Sequence, residues 1–266
     1  MAMPACYGEF KQMSVTGSSG LYPLVNSEAG LSLSEADYQR AGVQGLVYSL
    51  LRLLMRPGMQ ALNALENWRS ASIWNGPVII DASDLSIEPH SEFINIRNIY
   101  DGSHQNCSLQ EIMTLLKKLQ IDAVLWPGNS FQRNEWDDLY SQIPFYCKDS
   151  DEQYRPMTTR VDEGKISEFT KTFSIQKDAI PAAGVITDMP VKDALQGLLY
   201  ISDGVLDIRE EQWTHIHSAI EAECLCYSCA AGFTRAYFHH LYEHTPLLCH
   251  RLLAMHNLHF AQRMFS

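Results

Sequence analysis

Three cysteines near the C-terminus are the densest group of chemically reactive residues in this chain. Cys224, Cys226 and Cys229 follow the spacing C-x-C-x2-C, and three thiolates spaced in this way can point into one shared volume. Thiolates are soft ligands, so the group suits a tetrahedral metal site that needs one further donor. A helix-like stretch with several histidines follows and can supply that donor. The alternative interpretation is a chance cluster of buried cysteines.

The use of cysteine indicates a reducing compartment. Seven cysteines, an odd number with three of them clustered, fit a metal site better than a disulfide framework. Residues 1–20 lack the basic-then-apolar order of a signal peptide. No apolar run approaches the ~20 residues of a membrane span. We therefore expect a soluble, cytoplasmic protein.

The charge of the chain bears on its partners. The formal net charge is -11, and the 20 basic residues are scattered along the sequence. The closest approach to a basic cluster is Arg251 with Arg263 and the neighbouring histidines. Because nucleic-acid affinity depends on Lys and Arg neutralising phosphates, tRNA is a disfavoured partner. With 46% hydrophobic and 19% charged residues, the chain has the composition of an ordinary globular protein.

Predicted strands and helices alternate along the sequence. A continuous apolar run at 77–81 ends in Asp81, the pattern of a strand buried on both faces of a parallel sheet. Ser108 and Glu111 form a predicted capping box before a helix at 109–119. We predict further strands at 45–48, 122–126, 183–187 and 198–201, and further helices at 33–40, 235–241 and 247–260. The alternation predicts an α/β chain with a parallel sheet, either open or closed into a barrel.

The C-terminal run resembles the zinc subdomain of the tRNA-guanine transglycosylases, or queuine tRNA-ribosyltransferases. In that family C-x-C-x2-C precedes S-R-A-Y-x-H-H-L, and a later H-N-L-x-F/Y contains the fourth ligand. This chain has T-R-A-Y-F-H-H-L at 234–241 and H-N-L-H-F at 256–260. The resemblance implies a structural zinc ion whose ligands are Cys224, Cys226, Cys229 and His256. His239 and His240 are the best rivals of His256.

Upstream segments extend the likeness. The segments that resemble family motifs are L-M-R-P-G at 54–58, W-N-G-P-V-I-I-D at 74–81, D-G-S at 101–103 and S-D-G-V-L-D-I at 202–208. The fold that the resemblance implies is an irregular or incomplete (β/α)8 TIM-like barrel with a C-terminal zinc-binding subdomain. We expect a flexible lead at 1–20, the barrel at 21–213, and the zinc subdomain with its helices at 214–266.

The catalytic residues of the family are only partly matched in this chain. The family exchanges guanine at the tRNA wobble position for a deazaguanine base: one aspartate attacks the ribose, and a second shuttles protons. Asp81 matches the proton-shuttling aspartate, but an ungapped alignment of the nucleophile motif places Ile186 at the nucleophile. Asp188 lies two residues further on, which displaces a carboxylate by about 6–7 Å along a strand. Covalent catalysis would not tolerate that displacement.

Other positions of the family's active site have also changed. The glycines after the proton-shuttling aspartate are replaced in the run Ala82-Ser83-Asp84, and such glycines let the backbone come close to a bound base. The base-reading aspartate of the family falls at Gly128, which offers no carboxylate. The G-G-L-x-x-G-E loop has no counterpart. These changes together predict a degenerate active site.

Three functions remain open at this point. The favoured one is a catalytically degenerate member that acts as a zinc-stabilised structural or protein-interaction subunit, with a protein partner or as a homo-oligomer. The family implies a precedent, because its eukaryotic enzymes pair a catalytic subunit with a zinc-retaining partner that lacks the chemistry. The second is an active transglycosylase-like enzyme, a pentosyltransferase that exchanges a base in tRNA or a nucleoside using Asp81 and Asp188. The third is an RNA-binding module without catalysis.

Overall fold

A computed structural model describes residues 20–88, 91–127, 143, 145–148, 153–156, 169–170 and 184–265. The predicted lead at 1–20, except its last residue, lies outside the described residues, and so does Gly128. Among the described residues, no helix combines the length and the apolar character that crossing a membrane requires.

The described strands lie in one large sheet and two hairpins. In chain order they are β1 (Leu21–Pro23), β2 (Leu46–Ser49), β3 (Val78–Asp81), β4 (Phe93–Arg97), β5 (His104–Ser108), β6 (Ala123–Trp126), β7 (Phe145–Lys148), β8 (Gln153–Pro156), β9 (Phe169–Thr170), β10 (Gly184–Thr187), β11 (Leu198–Ile201) and β12 (Gly204–Asp207). All five predicted strands are present, each within one residue of its predicted bounds.

The described α-helices are α1 (Glu35–Ala41), α2 (Leu50–Leu53), α3 (Met59–Ala64), α4 (Leu109–Leu119), α5 (Met189–Leu195), α6 (Tyr227–Ala230), α7 (Arg235–His244) and α8 (Pro246–Arg263). The predicted capping box of α4 is confirmed: the Glu111 backbone N–H donates to Ser108 Oγ at 3.1 Å, and the Ser108 N–H donates to the Glu111 carboxylate at 2.9 Å. These bonds satisfy backbone donors that a helix start leaves without partners.

The large sheet has the strand order β1-β10-β9-β8-β7-β6-β3-β2. Its pairs are parallel except those of β8, which is antiparallel to both β7 and β9. A parallel bridge joins Leu24, the residue after β1, to Val47 of β2, so the two outer strands of the sheet meet. The predicted α/β class with parallel strands is confirmed. The TIM-like barrel remains a prediction, and the antiparallel β8 departs from the all-parallel form of that fold.

Alternate residues of the strands pack on opposite faces of this sheet. One face carries a small cluster that we call the inner cluster: Tyr22, Val47, Ile79, Ala123, Leu125, Tyr146 and Ile186, with Leu24 packed against it. The other face, with residues such as Val78, Ile80 and Val124, joins the main hydrophobic core with the helices. Because both faces are covered by apolar groups, the strands read as continuous apolar runs.

The hairpin of β4 and β5 was not predicted. Its turn is the D-G-S segment, in which Gly102 adopts a φ of +73° and the Ser103 N–H donates to the Asp101 carboxylate at 2.8 Å. Ile94 and Ile96 are buried, whereas the alternate residues of β4 are exposed. Polar residues dominate β5, so the sequence there carries a weak strand signal.

Helix α8 is bonded to the rest of the fold by buried polar side chains. Asn257, which is fully buried, accepts from the Tyr200 N–H at 3.0 Å and donates to the carbonyls of Pro190 at 3.0 Å and Leu198 at 2.9 Å. Gln262 accepts from the Leu21 N–H of β1 at 3.0 Å. These bonds join residues on the two sides of the predicted domain boundary at 213/214. The division into a barrel and a zinc subdomain stays a prediction.

An ion pair also fastens α8 to α1. Arg251 donates two hydrogen bonds to the Asp37 carboxylate, at 3.0 and 2.8 Å, and Asp37 also accepts from the Ser34 N–H at 2.9 Å. Burial alone raises the pKa of the Asp37 carboxyl, but the hydrogen bonds from Arg251 and Ser34 outweigh burial and hold that pKa below its ordinary value. The folded state therefore binds a proton on Asp37 less readily than the unfolded chain does.

This ion pair predicts an acid-dependent contribution to stability. Asp37→Asn is expected to lower the free energy of unfolding by about 1.5–3 kcal/mol at pH 7, because it removes charge-assisted hydrogen bonds. Since the folded pKa is depressed, this contribution is present above about pH 3.9, the ordinary Asp value, and is lost as the pH falls further. Urea unfolding at pH 7 and pH 3 measures both effects.

The matched control is Asp207→Asn. Asp207 pairs with Arg209 at 2.6 Å, but this pair joins neighbouring residues on the surface, where ion pairs contribute little. Two results would contradict the role given to Asp37. One is a decrease in the free energy of unfolding at pH 7 no larger than that of the control; the other is a decrease at pH 3 as large as that at pH 7.

Candidate metal centre

The structure brings Cys224, Cys226, Cys229 and His256 together. The three Sγ atoms and one ring nitrogen of His256 all lie within 4.8 Å of one another. His256 Nδ1 is 3.7 Å from Cys224 Sγ and 3.4 Å from the Sγ atoms of Cys226 and Cys229. Among the described residues, no other group of three or more His, Cys, Asp and Glu side chains meets so closely.

Short-range structure positions the three cysteines. Cys226 caps the N-terminus of α6, and its Sγ accepts from the Cys229 N–H at 3.3 Å. Cys224 precedes it in a turn closed by its own N–H, which donates to the Glu221 carbonyl at 3.3 Å. Helix α6 is held on α8 by Ser228 Oγ, which donates to the Leu252 carbonyl at 2.7 Å. The cysteine spacing therefore suffices to form one side of the site, and α8 supplies the other.

The orientation of His256 depends on a contact distant in sequence. Its Nε2 lies 2.7 Å from the Tyr200 carbonyl oxygen on β11. Because a carbonyl only accepts, Nε2 carries a proton, so in the neutral ring the lone pair is on Nδ1, the atom that faces the thiols. Such an outer bond fixes the ring and its tautomer in metal sites. Asn257 holds the same strand segment through the Tyr200 N–H.

The donor set fits a tetrahedral ion. Metal–sulfur and metal–nitrogen bonds of zinc length predict S···N separations of about 3.6 Å in a tetrahedron, and the observed separations are 3.4–3.7 Å. Hydrogen bonding among the thiols lowers the pKa of Cys224 and raises that of Cys229. Three adjacent thiols therefore do not ionise together by themselves, whereas a bound cation would stabilise all three thiolates.

The site is closed. Cys224, Cys226 and His256 are buried and Cys229 is half-buried. Four protein donors complete a tetrahedron and leave no open position for a substrate or a reactive water, which is the pattern of structural rather than catalytic sites.

The rival histidines lie elsewhere. His239 is buried, and its Nδ1 lies 2.8 Å from the Ile208 carbonyl, to which it donates. His240 is exposed on α7. Neither belongs to the group of four. The supporting roles of Tyr200 and Asn257 were not predicted; the position of Asn257 next to His256 in H-N-L was the available signal.

Asp81 lies at the carboxyl end of β3, between Ser49 of β2 and Leu125 of β6 in the sheet register. It is buried, with only 1% of its surface exposed. Its Oδ1 accepts from Ser83, from the N–H at 3.0 Å and from the hydroxyl at 2.5 Å. The serine that follows the predicted proton-shuttling position thus occupies one carboxylate oxygen.

Ile186 and Asp188 have different surroundings. Ile186 lies opposite Tyr22 in the register of β10 with β1 and is buried in the inner cluster. Asp188 comes after the end of β10, at the start of α5, and pairs with Lys192 at 3.0 Å. Burial raises the pKa of the Tyr38 hydroxyl and the Asp188 carboxylate raises it further. Asp188 thus lies outside the strand that carries Ile186, at the start of α5.

Comparison with known proteins matches the C-terminal part of the chain. Residues 186–266 match a family model described as queuine tRNA-ribosyltransferase. A queuine tRNA-ribosyltransferase of Nitrosomonas eutropha is 42% identical over 78 residues, which are 29% of this chain and 21% of that protein. The chain thus matches about a fifth of the length of this curated relative. The matched family region contains all four residues of the candidate metal centre.

Proposed function

We propose that this chain is a catalytically degenerate member of the queuine tRNA-ribosyltransferase family, which residues 186–266 resemble. In this proposal its zinc-stabilised C-terminal region acts as a structural or protein-interaction subunit of a larger complex. We further propose that the eight-stranded sheet belongs to an irregular (β/α)8-like barrel on which that region packs.

The observation that carries the proposal is the burial of Ile186. The family nucleophile aligns with this residue, and its side chain is packed among apolar groups of the inner cluster with 2% of its surface exposed. A covalent mechanism needs a carboxylate at that point, held against the sugar within a fraction of an ångström. Asp188 follows the end of β10 at the start of α5, and its carboxylate pairs with Lys192.

The metal centre has been kept while the nucleophile has not. Zinc is the ion that best suits three thiolates and one imidazole, and when bound it neutralises the thiolates and joins α6 to α8. The residues that would hold it are Cys224, Cys226, Cys229 and His256. A closed site of this kind stabilises a surface rather than performing a reaction.

A surface beside the metal centre supports the interaction role. Leu225, between two of the cysteines, is 83% exposed, and Leu247 at the start of α8 is 78% exposed. Leu248 and Tyr227, in the same two segments, are 44% and 48% exposed. Contiguous exposed apolar patches are typical of protein-binding surfaces, and we propose that these four side chains contribute to one. The occupant that fits is a protein, either a second copy or a different chain, and the net charge of -11 disfavours tRNA.

Base exchange tests the catalytic half of the proposal. Zinc-loaded protein is incubated with labelled guanine and unmodified tRNA, beside an active family enzyme as positive control. We expect no incorporation above a protein-free blank, and the same result for Asp81→Asn, Asp188→Asn and the exposed neighbour Asp84→Asn. Sedimentation of the same samples should show a defined oligomer or a stable complex with a co-purifying chain.

The alternative function makes the opposite prediction. Asp81 is a buried carboxylate at the end of a parallel strand, where active sites of α/β folds lie. If wild-type protein incorporates guanine, and Asp81→Asn and Asp188→Asn abolish incorporation while Asp84→Asn does not, the chain is an active transglycosylase-like enzyme.

A further inference from the structure

Helix α7 carries two histidines that neither the metal centre nor the core uses. His240 and His244 lie four residues apart, so they share one face of the helix. Both are exposed, and 62% of the His244 side chain is accessible to solvent. Their ring centroids are 4.4 Å apart, and the ring planes are inclined by 47°.

We propose that His240 and His244 form a second metal site, which binds one divalent transition-metal ion at the protein surface. The site is separate from the candidate structural centre, because neither histidine belongs to the group of Cys224, Cys226, Cys229 and His256. It goes beyond the proposed scaffold function, which requires only the cysteine centre.

The spacing of the rings suits chelation. Two imidazoles bound to one ion at about 2.0–2.1 Å have ring centres about 4.5–5 Å apart for nitrogen–metal–nitrogen angles near 90–109°. The observed 4.4 Å is close to that range, so rotation of two exposed side chains suffices to bring both ring nitrogens to one ion. The ordered backbone of α7 holds both residues on the same face, which reduces the entropy lost on binding.

Glu243 adds negative charge beside the pair. One of its carboxylate oxygens lies 3.9 Å from His244 Nε2, and the other lies 3.8 Å from His239 Nε2. Glu243 is itself 56% exposed, so its carboxylate can turn toward an ion held by the two rings. The net charge of -11 attracts cations to the whole surface.

The ligand types select the class of ion. Imidazole nitrogen binds nickel, copper and zinc ions, whereas magnesium and calcium prefer oxygen ligands. Two imidazoles and at most one carboxylate leave coordination positions filled by water. The site therefore differs from the closed cysteine centre: its ion is exchangeable, and it remains accessible to small ligands in solution.

Nickel titration of zinc-loaded protein tests the site. Ni²⁺ is added to protein whose zinc content has been measured, heat is followed by calorimetry, and released zinc is followed with a chromogenic indicator. We expect one Ni²⁺ bound per chain without release of zinc. His240→Ala and His244→Ala should each weaken binding by about tenfold or more, because one imidazole no longer forms a chelate. Glu243→Gln should weaken it less.

The controls separate this site from general histidine binding. Alanine is the best helix former, so both variants are expected to fold, and circular dichroism checks this. His104→Ala, in an exposed position on β5, should bind Ni²⁺ as the wild type does. The proposal is overturned if the wild type binds no Ni²⁺, if Ni²⁺ only displaces zinc, or if the double variant binds with wild-type affinity.

Discussion

Removal of zinc from the loaded protein is expected to unfold the region from Cys224 to the end of α8. Structural zinc sites contribute apparent free energies of about 10–16 kcal/mol in small domains, whereas whole proteins are stable by only about 5–15 kcal/mol. Without the ion, the packed thiols and the buried His256 lose the interaction that holds α6 against α8. Cys226→Ser is expected to have the same effect, because it replaces a buried soft ligand.

Hydrogen exchange of the α8 amides, with and without a chelator, measures this effect, and acid release should yield one zinc per chain. Cys249→Ser is the matched control. Cys249 is a fully buried thiol on α8 that donates to the Phe238 carbonyl at 3.5 Å and does not belong to the metal group. This variant should keep its zinc. Retention of a folded α8 in chelator would show that the four residues do not form a structural metal site.

Asn257→Leu is expected to have the second largest effect. The substitution leaves the Tyr200 N–H and the carbonyls of Pro190 and Leu198 without their partner. Each buried group left unsatisfied costs about 1–3 kcal/mol, so for three groups we expect a loss of about 3–9 kcal/mol in the free energy of unfolding. Urea unfolding of zinc-loaded protein measures the loss.

The same variant should bind zinc more weakly. The Tyr200 residue that bonds to Asn257 also orients His256 through its carbonyl, and changes in such outer contacts typically cost about 10–100-fold in metal affinity. Asn95→Ala is the control, because Asn95 bonds to Asn106 on the exposed side of the β4–β5 hairpin. Its effect on stability should stay within about 0.5 kcal/mol. A comparably small effect of Asn257→Leu would mean that water or a shifted backbone satisfies the three groups.

Elements with a strong local signal were predictable. The signals for β3, β6 and the capping box of α4 each come from residues close together in the sequence. Their positions were therefore predicted to within one or two residues. The hairpin of β4 and β5 was missed because only Ile94 and Ile96 of β4 face the core, and β5 is largely polar. The antiparallel β8 was also missed, because strand direction depends on pairing between distant segments and not on local pattern.

The sequence by itself determined the set of candidate metal ligands. The spacing of Cys224, Cys226 and Cys229 brings three thiols together over one short turn and one helix start. The fourth member, His256, came from resemblance to a family motif, and the structure places it within 3.7 Å of all three Sγ atoms. Short sequence separation makes the group of three cysteines largely independent of the rest of the fold, whereas the placement of His256 depends on α8 and on Tyr200.

Only the tertiary structure decided the surroundings of Ile186 and Asn257. Alternation along a strand predicts that neighbouring residues face opposite sides of the sheet. Which residues face the inner cluster depends on the register of β10 with β1 and on the residues packed against each face. For that reason the burial of Ile186 in the inner cluster emerged from packing. The pairing of Asp188 with Lys192, by contrast, is a local contact between residues four apart. The partners of Asn257 lie 57 to 67 residues away, and no local pattern encodes a contact at that separation.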